Sequence, residues 1–162
     1  MRGRSAFSTG LCTQSLGIYK AHVLLSNQLR QGGTMDYKIT GYEPAQLFHF
    51  FEEVSAIPRG SGNEKGISDF LVAFAKERGL DVYQDEVYNV IIRKPASAGA
   101  ENAPTVMLQG HIDMVCDKLG SVEHDFTTDG IDLVVKDGVL TANGTTLGAD
   151  NGIAVALMLT VL

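Results

Sequence analysis

From Pro44 onward the chain is patterned for helix. Leu47, Phe51, Val54 and Ile57 recur every three or four residues, which places them on one face of a helix that Pro58 ends. Ser61-Gly62-Asn63-Glu64 reads as a capping box, with Ser61 accepting from the amide three residues on and Glu64 reaching back. Behind it, Ile67, Phe70, Leu71 and Phe74 make the apolar face of a second helix, and Gly79 supplies its left-handed stop.

The period then changes. Val82–Val87 and Asn89–Arg93 read as two short strands around Tyr88. Pro95–Pro104 is a loop. Thr105–Gln109 is a short apolar run ending at Gly110, suited to a buried strand. Residues 116–130 are polar and read as loop. Ile131–Lys136 and Val139–Thr141 flank Asp137-Gly138, a strong hairpin signal. Gly144–Gly148 is a tight connection, and Ile153–Leu162 is continuously apolar and suited to a buried helix. Helices, strands, a buried strand and a further helix predict an α/β domain. A run that stops inside an apolar helix suggests that the domain is incomplete.

Residues 1–34 differ from the rest of the chain. They are rich in Ser, Gly and Gln and contain no acid. The composition suits a transit peptide, but Met35 is followed at once by well-patterned sequence, which favours an upstream extension from a misassigned start. This leader is expected to be poorly ordered, and residues 35–162 are expected to carry the fold.

Composition narrows the class. Across 162 residues, 44% are hydrophobic and 20% charged, the balance of a globular protein. No apolar run approaches the roughly 20 residues of a membrane span. The net charge of -6 argues against a nucleic-acid surface, and it suits a site that attracts cations. Cys12 and Cys116 form no CxxC and point to a reducing compartment.

Two strings could carry chemistry. The first is Gln109-Gly110-His111-Ile112-Asp113-Met114-Val115, placed where the expected strand ends, and α/β proteins put ligands just beyond strand carboxyl ends. His111 and Asp113 are two apart, so in extended chain they share a side. Imidazole is a good zinc ligand, and a ligating His usually donates its other ring N–H to a carboxylate. The same HxD also suits an ordinary polar loop. The second string is Thr145-Thr146-Leu147-Gly148-Ala149-Asp150-Asn151-Gly152. Asp150 could bridge two cations, with glycines letting the backbone approach them closely. It could equally be a plain helix N-cap.

Taken together, the strings are more specific. IPRGSGNE at Ile57–Glu64, LQGHIDMV at Leu108–Val115, HDF at His124–Phe126 and GTTLGADNGIAVA at Gly144–Ala156 resemble the M20 family of metallopeptidases, in its aminoacyl-histidine dipeptidase branch. The resemblance runs from about Met35 to Leu162. It implies an incomplete zinc-aminopeptidase-like catalytic domain, a mixed sheet flanked by helices, with the lid domain absent. It implies that His111 is a terminal ligand on one zinc, that Asp113 orients His111, that Asp150 bridges two Zn2+ ions, and that the Asp150–Asn151 peptide is cis. Co2+ or Mn2+ could substitute.

The same resemblance implies hydrolysis of dipeptides, Xaa-His among them, by a cytoplasmic parent that can form a homodimer. In that class a metal-activated water attacks the peptide and a Glu shuttles the proton. The family takes this Glu and the remaining ligands from positions after the GADNG helix. Two ligands are too few for catalytic zinc, so the 162 residues alone are expected to be inactive. Glu52-Glu53 lies upstream and reads as a solvated face. Cys116 stands where many family members have Pro and reads as an inert thiol. His49 reads as packing or partly exposed, and His124 and Asp125 as turn residues. Other readings stay open: an amidohydrolase of N-acyl amino acids, a non-catalytic fragment, or an α/β domain whose HxD and ADNG are turn and cap residues.

Overall fold

The computed structural model describes residues 37–162, so the leader read over residues 1–34 lies outside the described residues. Among the described residues the elements are α1 (Ala45–Ser55), α2 (Lys65–Glu77), β1 (Asp81–Gln84), β2 (Val90–Arg93), β3 (Leu133–Lys136), β4 (Val139–Ala142) and α3 (Ala149–Val161). Helices and small antiparallel sheets of this kind form part of an α/β domain.

Helix α1 ends three residues before Pro58, because the residue preceding a proline is pushed out of the α region. Its face carries Phe51 (1% exposed) and Val54 (0%) into the core, where they meet Val155, Ala156 and Leu159 of α3. Burying a side chain such as Phe51 stabilises by about 2–3 kcal/mol. Helix α2 adds Ile67, Leu71 and Phe74. It stops as Gly79 predicts: Gly79 has φ 66°, its N–H bonds Lys76 O at 3.1 Å, and Leu80 N–H bonds Ala75 O at 2.9 Å. That pair of bonds is the Schellman pattern.

At the other end of α2 the expected capping box is not formed. The helix begins without a side-chain cap bond. Glu64 accepts instead from Gly62 N at 2.6 Å, and the Ser61 hydroxyl is used elsewhere.

Strands β1 and β2 pair antiparallel, with Val82 opposite Ile92. Their turn is tied by Asp85, whose carboxylate accepts from Val87 N and Asn89 N. The second hairpin pairs Lys136 with Val139. Asp137 (φ 53°) and Gly138 (φ 75°) both lie in the left-handed region, as the two-residue turn requires.

Two further expectations need correction. Thr105–Gln109 is not a buried strand: it has no strand partner among the described residues, and Val106, Met107 and Leu108 are 78%, 86% and 54% exposed. An extended run with no neighbouring ladder has nowhere to place its backbone hydrogen bonds or its side chains. Helix α3 is likewise half-buried. Val155, Ala156 and Leu159 face the core, while Ile153, Leu157 and Val161 make an exposed stripe at four-residue spacing. No helix among the described residues is long and apolar enough to cross a membrane.

Candidate metal centre

Two separate stretches of chain meet beside α3. The first runs from Gly110 to Met114 and lies along Arg59–Ser61. Met114 N bonds Arg59 O at 3.0 Å and Ser61 N bonds Met114 O at 3.3 Å, a short parallel bridge. Met114 is 3% exposed and anchors the stretch, which leaves His111 at the surface. The second stretch turns through Gly148, which occupies the left-handed region at φ 69° at the helix N-cap. A Cβ there would meet Met114 Sδ at 2.6 Å, so a side chain has neither the conformation nor the room.

The sequence-predicted site residues come together. His111 Nδ1 lies 3.0 Å from Asp113 Oδ1, and His111 Nε2 lies 3.0 Å from Asp150 Oδ1, across 39 residues of chain. Asp150 does not act as a plain cap. It has φ -90° and ψ 106°, outside helical geometry, and the helix end has no side-chain cap bond. Its carboxylate is 96% exposed and faces His111. The Asp150–Asn151 peptide is cis, as the resemblance implies.

The electrostatics follow this placement. The Asp150 carboxylate beside Nε2, aided by Asp113 beside Nδ1 and opposed by slight desolvation, raises the His111 pKa above the ordinary histidine value. Asp113 is held below the usual carboxylate range, first by the Ser61 hydroxyl and then by His111. Ser61 Oγ donates to Asp113 Oδ2 at 2.5 Å. Ser61, Asp113 and His111 therefore form a chain that ends at Nε2.

This donor set fits a zinc ion. With Nδ1 engaged by Asp113, Nε2 would give up its proton to bind a metal between itself and Asp150. Two tetrahedral ligands each about 2.0–2.1 Å from zinc stand about 3.3 Å apart, close to the observed 3.0 Å between Nε2 and Oδ1. A cleft lined by Val115, Thr146, Leu147 and Gly148 opens beside Asp150. Among the described residues, no group of three or more His, Cys, Asp or Glu side chains is arranged to hold a metal.

The remaining candidates fall into place around this pair. His49 is exposed and stacks near Tyr37, with ring centroids 4.7 Å apart. Asp125 accepts from Thr127 N at 2.9 Å and ties a turn. Cys116 is exposed, with its Sγ over Gly60, and partial desolvation pushes its thiol pKa up, which disfavours the reactive thiolate. Glu52-Glu53 is not a solvated face. Glu52 is 4% exposed and accepts from Lys38 N at 2.8 Å and Ile39 N at 2.6 Å. Glu53 accepts from the Tyr37 hydroxyl at 2.5 Å. Helical spacing places a residue on a face but does not show that another segment will cover that face.

Two residues of the centre escape sequence reasoning. Ser61 fits a local capping pattern, and its spacing gives no sign of a partner 52 residues away. Arg59 lies inside the family text with no role that its neighbours suggest. It is 1% exposed, and its Nη1 and Nη2 donate to three backbone carbonyls of the two stretches.

No family model matches the chain. Over 125 residues it is 43% identical to the cytosol non-specific dipeptidase of Escherichia coli strain K12, a match that covers 77% of this chain and 26% of that protein. The crystal structure of an aminoacylhistidine dipeptidase from Vibrio alginolyticus matches with a TM-score of 0.74 and 45% identity, over 76% of this chain and 25% of that one. A tripeptidase structure from Staphylococcus aureus matches with a TM-score of 0.58 and 27% identity, over 72% of this chain and 30% of that one. The chain spans about a quarter of the length of the dipeptidases it matches. It is a homologue of the cytosol non-specific and aminoacylhistidine dipeptidases over that quarter.

Proposed function

We propose that this chain contributes half of the metal centre of an M20-type dipeptidase, with His111 as a terminal zinc ligand, Asp150 as the carboxylate between two zinc ions, and Asp113 as the group that orients His111. The observation that carries this reading is the bracketing of the His111 ring, with Asp113 at 3.0 Å on one nitrogen and Asp150 at 3.0 Å on the other. Similarity to dipeptidases over this stretch supports dipeptides, Xaa-His among them, as the substrate class of the whole enzyme. When bound, the zinc pair supplies an activated water and polarises the scissile carbonyl.

The chain's own residues do the positioning. Ser61 holds Asp113, Asp113 fixes the tautomer of His111, and Gly148 turns the backbone so that Asp150 reaches Nε2. Glu52-Glu53 is committed to Lys38, Ile39 and Tyr37 and does not serve as the proton shuttle. Two ligands do not hold a catalytic pair of zinc ions, so these residues alone are expected to bind zinc weakly and not to turn over dipeptides.

Calorimetric titration with Zn2+ tests the ligand assignment. Wild type should bind, and His111→Ala and Asp150→Ala should each abolish the binding; equal affinity in all three would sink the reading. Steady hydrolysis of Xaa-His dipeptides by the purified 162-residue chain would overturn the expectation that further groups are needed.

A further inference from the structure

We propose that Arg59 is the positioning residue of this centre: its buried guanidinium clamps the His111–Asp113 segment to the Gly148–Asp150 segment through their backbone carbonyls and so sets the spacing of the two ligands. This rests on the reading of His111 and Asp150 as metal ligands.

Nη1 donates to Ile112 O and to Asp113 O, each at 3.2 Å, and Nη2 donates to Gly148 O at 2.6 Å. One nitrogen of the fork therefore serves each segment. Ile112 and Asp113 directly follow His111, and Gly148 lies two residues before Asp150. The main chain of Arg59 adds a further tie, since its carbonyl accepts from Met114 N at 3.0 Å. The side chain is 1% exposed, and no carboxylate among the described residues is hydrogen-bonded to it. A buried cation without a bound carboxylate is costly and is retained only when good hydrogen bonds compensate it. Here three carbonyls accept from Nη1 and Nη2 and the charge of the nearby Asp113 assists, while Nε is buried without a partner.

The surroundings are shaped to admit the guanidinium. A Cβ at Gly148 would lie 2.7 Å from Nη2, and a Cβ at Gly152 would lie 2.6 Å from it. Helix propensity alone favours Ala over Gly inside α3, so Gly152 is explained by the space that Arg59 takes. The planar fork matters as well as the charge. Lysine keeps the charge but offers a single nitrogen, which cannot donate to both segments with the same geometry. Thr146 adds a more distant link, with Oγ1 donating to Val115 O at 2.8 Å, but Arg59 is the side chain that reaches the residues next to both ligands.

The test uses the full chain with Arg59→Lys, the milder Gly152→Ala that crowds the guanidinium from the other side, and Leu71→Ala as a core variant away from the centre. Amide hydrogen exchange is followed without metal, and zinc affinity is measured by calorimetry. Arg59→Lys and Gly152→Ala should speed exchange at Met114 and Gly152 by about tenfold or more while leaving the middle of α2 within about twofold. They should also weaken zinc binding by about 10–100-fold, the range seen when groups supporting a ligand are lost. Leu71→Ala should loosen α2 and leave zinc affinity unchanged.

Exchange that rises uniformly, or zinc affinity unchanged in the variants of a wild type that does bind, overturns the clamp alone. A wild type that binds no zinc overturns the metal reading and the positioning role with it. If Arg59→Lys does not fold, Gly152→Ala carries both measurements.

Discussion

The Ser61 hydroxyl donates to the Asp113 carboxylate at 2.5 Å. The residue that local spacing offers as a helix cap is spent on Asp113, whose other carboxylate oxygen lies 3.0 Å from His111 Nδ1. Helix α2 starts without it: the preceding turn is closed by Asn63 N to Gly60 O at 2.8 Å, and Ser68 N bonds Glu64 O at 2.9 Å in the helix's first turn.

Ser61→Ala should therefore separate the two roles. A lost N-cap costs about 1 kcal/mol and frays the helix start. Here exchange in the first turn of α2 should stay at the wild-type rate, while zinc affinity falls several-fold because Asp113 loses its anchor. Faster exchange confined to Ile67 and Ser68 would restore the capping box.

Phe51 is 1% exposed and lies between α1 and α3, where a Cβ at Gly152 would come within 3.4 Å of its ring. Phe51→Ala removes a ring from the junction beside the start of α3. It should cost about 3–5 kcal/mol in denaturant unfolding. A loss below about 1 kcal/mol would mean that the α1–α3 contact is not a central part of the core.

Gly130 has no special φ, yet a Cβ there would lie 2.6 Å from the Ala56 carbonyl oxygen and 2.8 Å from its carbonyl carbon. Those are backbone atoms, held in place by the bond from Ile131 N to Ser55 O at 2.8 Å. Gly130→Ala should destabilise by about 1–3 kcal/mol, as overpacking does, and should speed exchange at Ile131. Unchanged thermal stability would show that the loop can lift off α1 freely.

Asp132 provides one pH dependence. Lys38 Nζ is its first hydrogen-bond partner and Asn143 Nδ2 (2.9 Å) its second, and together they lower its pKa below the ordinary carboxylate value. A depressed folded pKa contributes stability that is fully present above the unfolded value of about 3.9 and is lost as pH falls through the folded value. The group is half exposed, so the effect is small. Asp132→Asn should be slightly less stable than wild type near neutral pH, and the gap should close in strong acid. A gap of the same size at both ends of the titration would remove Lys38 and Asn143 as its cause.

Both helices that precede the strands, their apolar faces, the Gly79 stop and the Asp137-Gly138 hairpin are legible in the sequence. Each is decided by contacts within a few residues, which periodicity and turn chemistry record directly. The pairing of His111 with Asp150 becomes legible only when the two motifs are read together as family text. Nothing local to either string reveals that they meet. Thr105–Gln109 misleads for a related reason: an apolar run states a tendency to be buried, but burial in a strand needs a partner segment.

Which residues prefer helix, which prefer turn and which carry ligand chemistry is written in the chain alone, because those properties belong to short stretches and to side-chain type. Packing in three dimensions was needed to establish that Ser61 serves Asp113, that Glu52 is buried under Lys38 and Ile39, and that Arg59 joins two segments far apart in the chain. Those partnerships are set by where the packing of α1 against α3 brings distant backbone, and no spacing rule encodes the position of a carbonyl oxygen that many residues away.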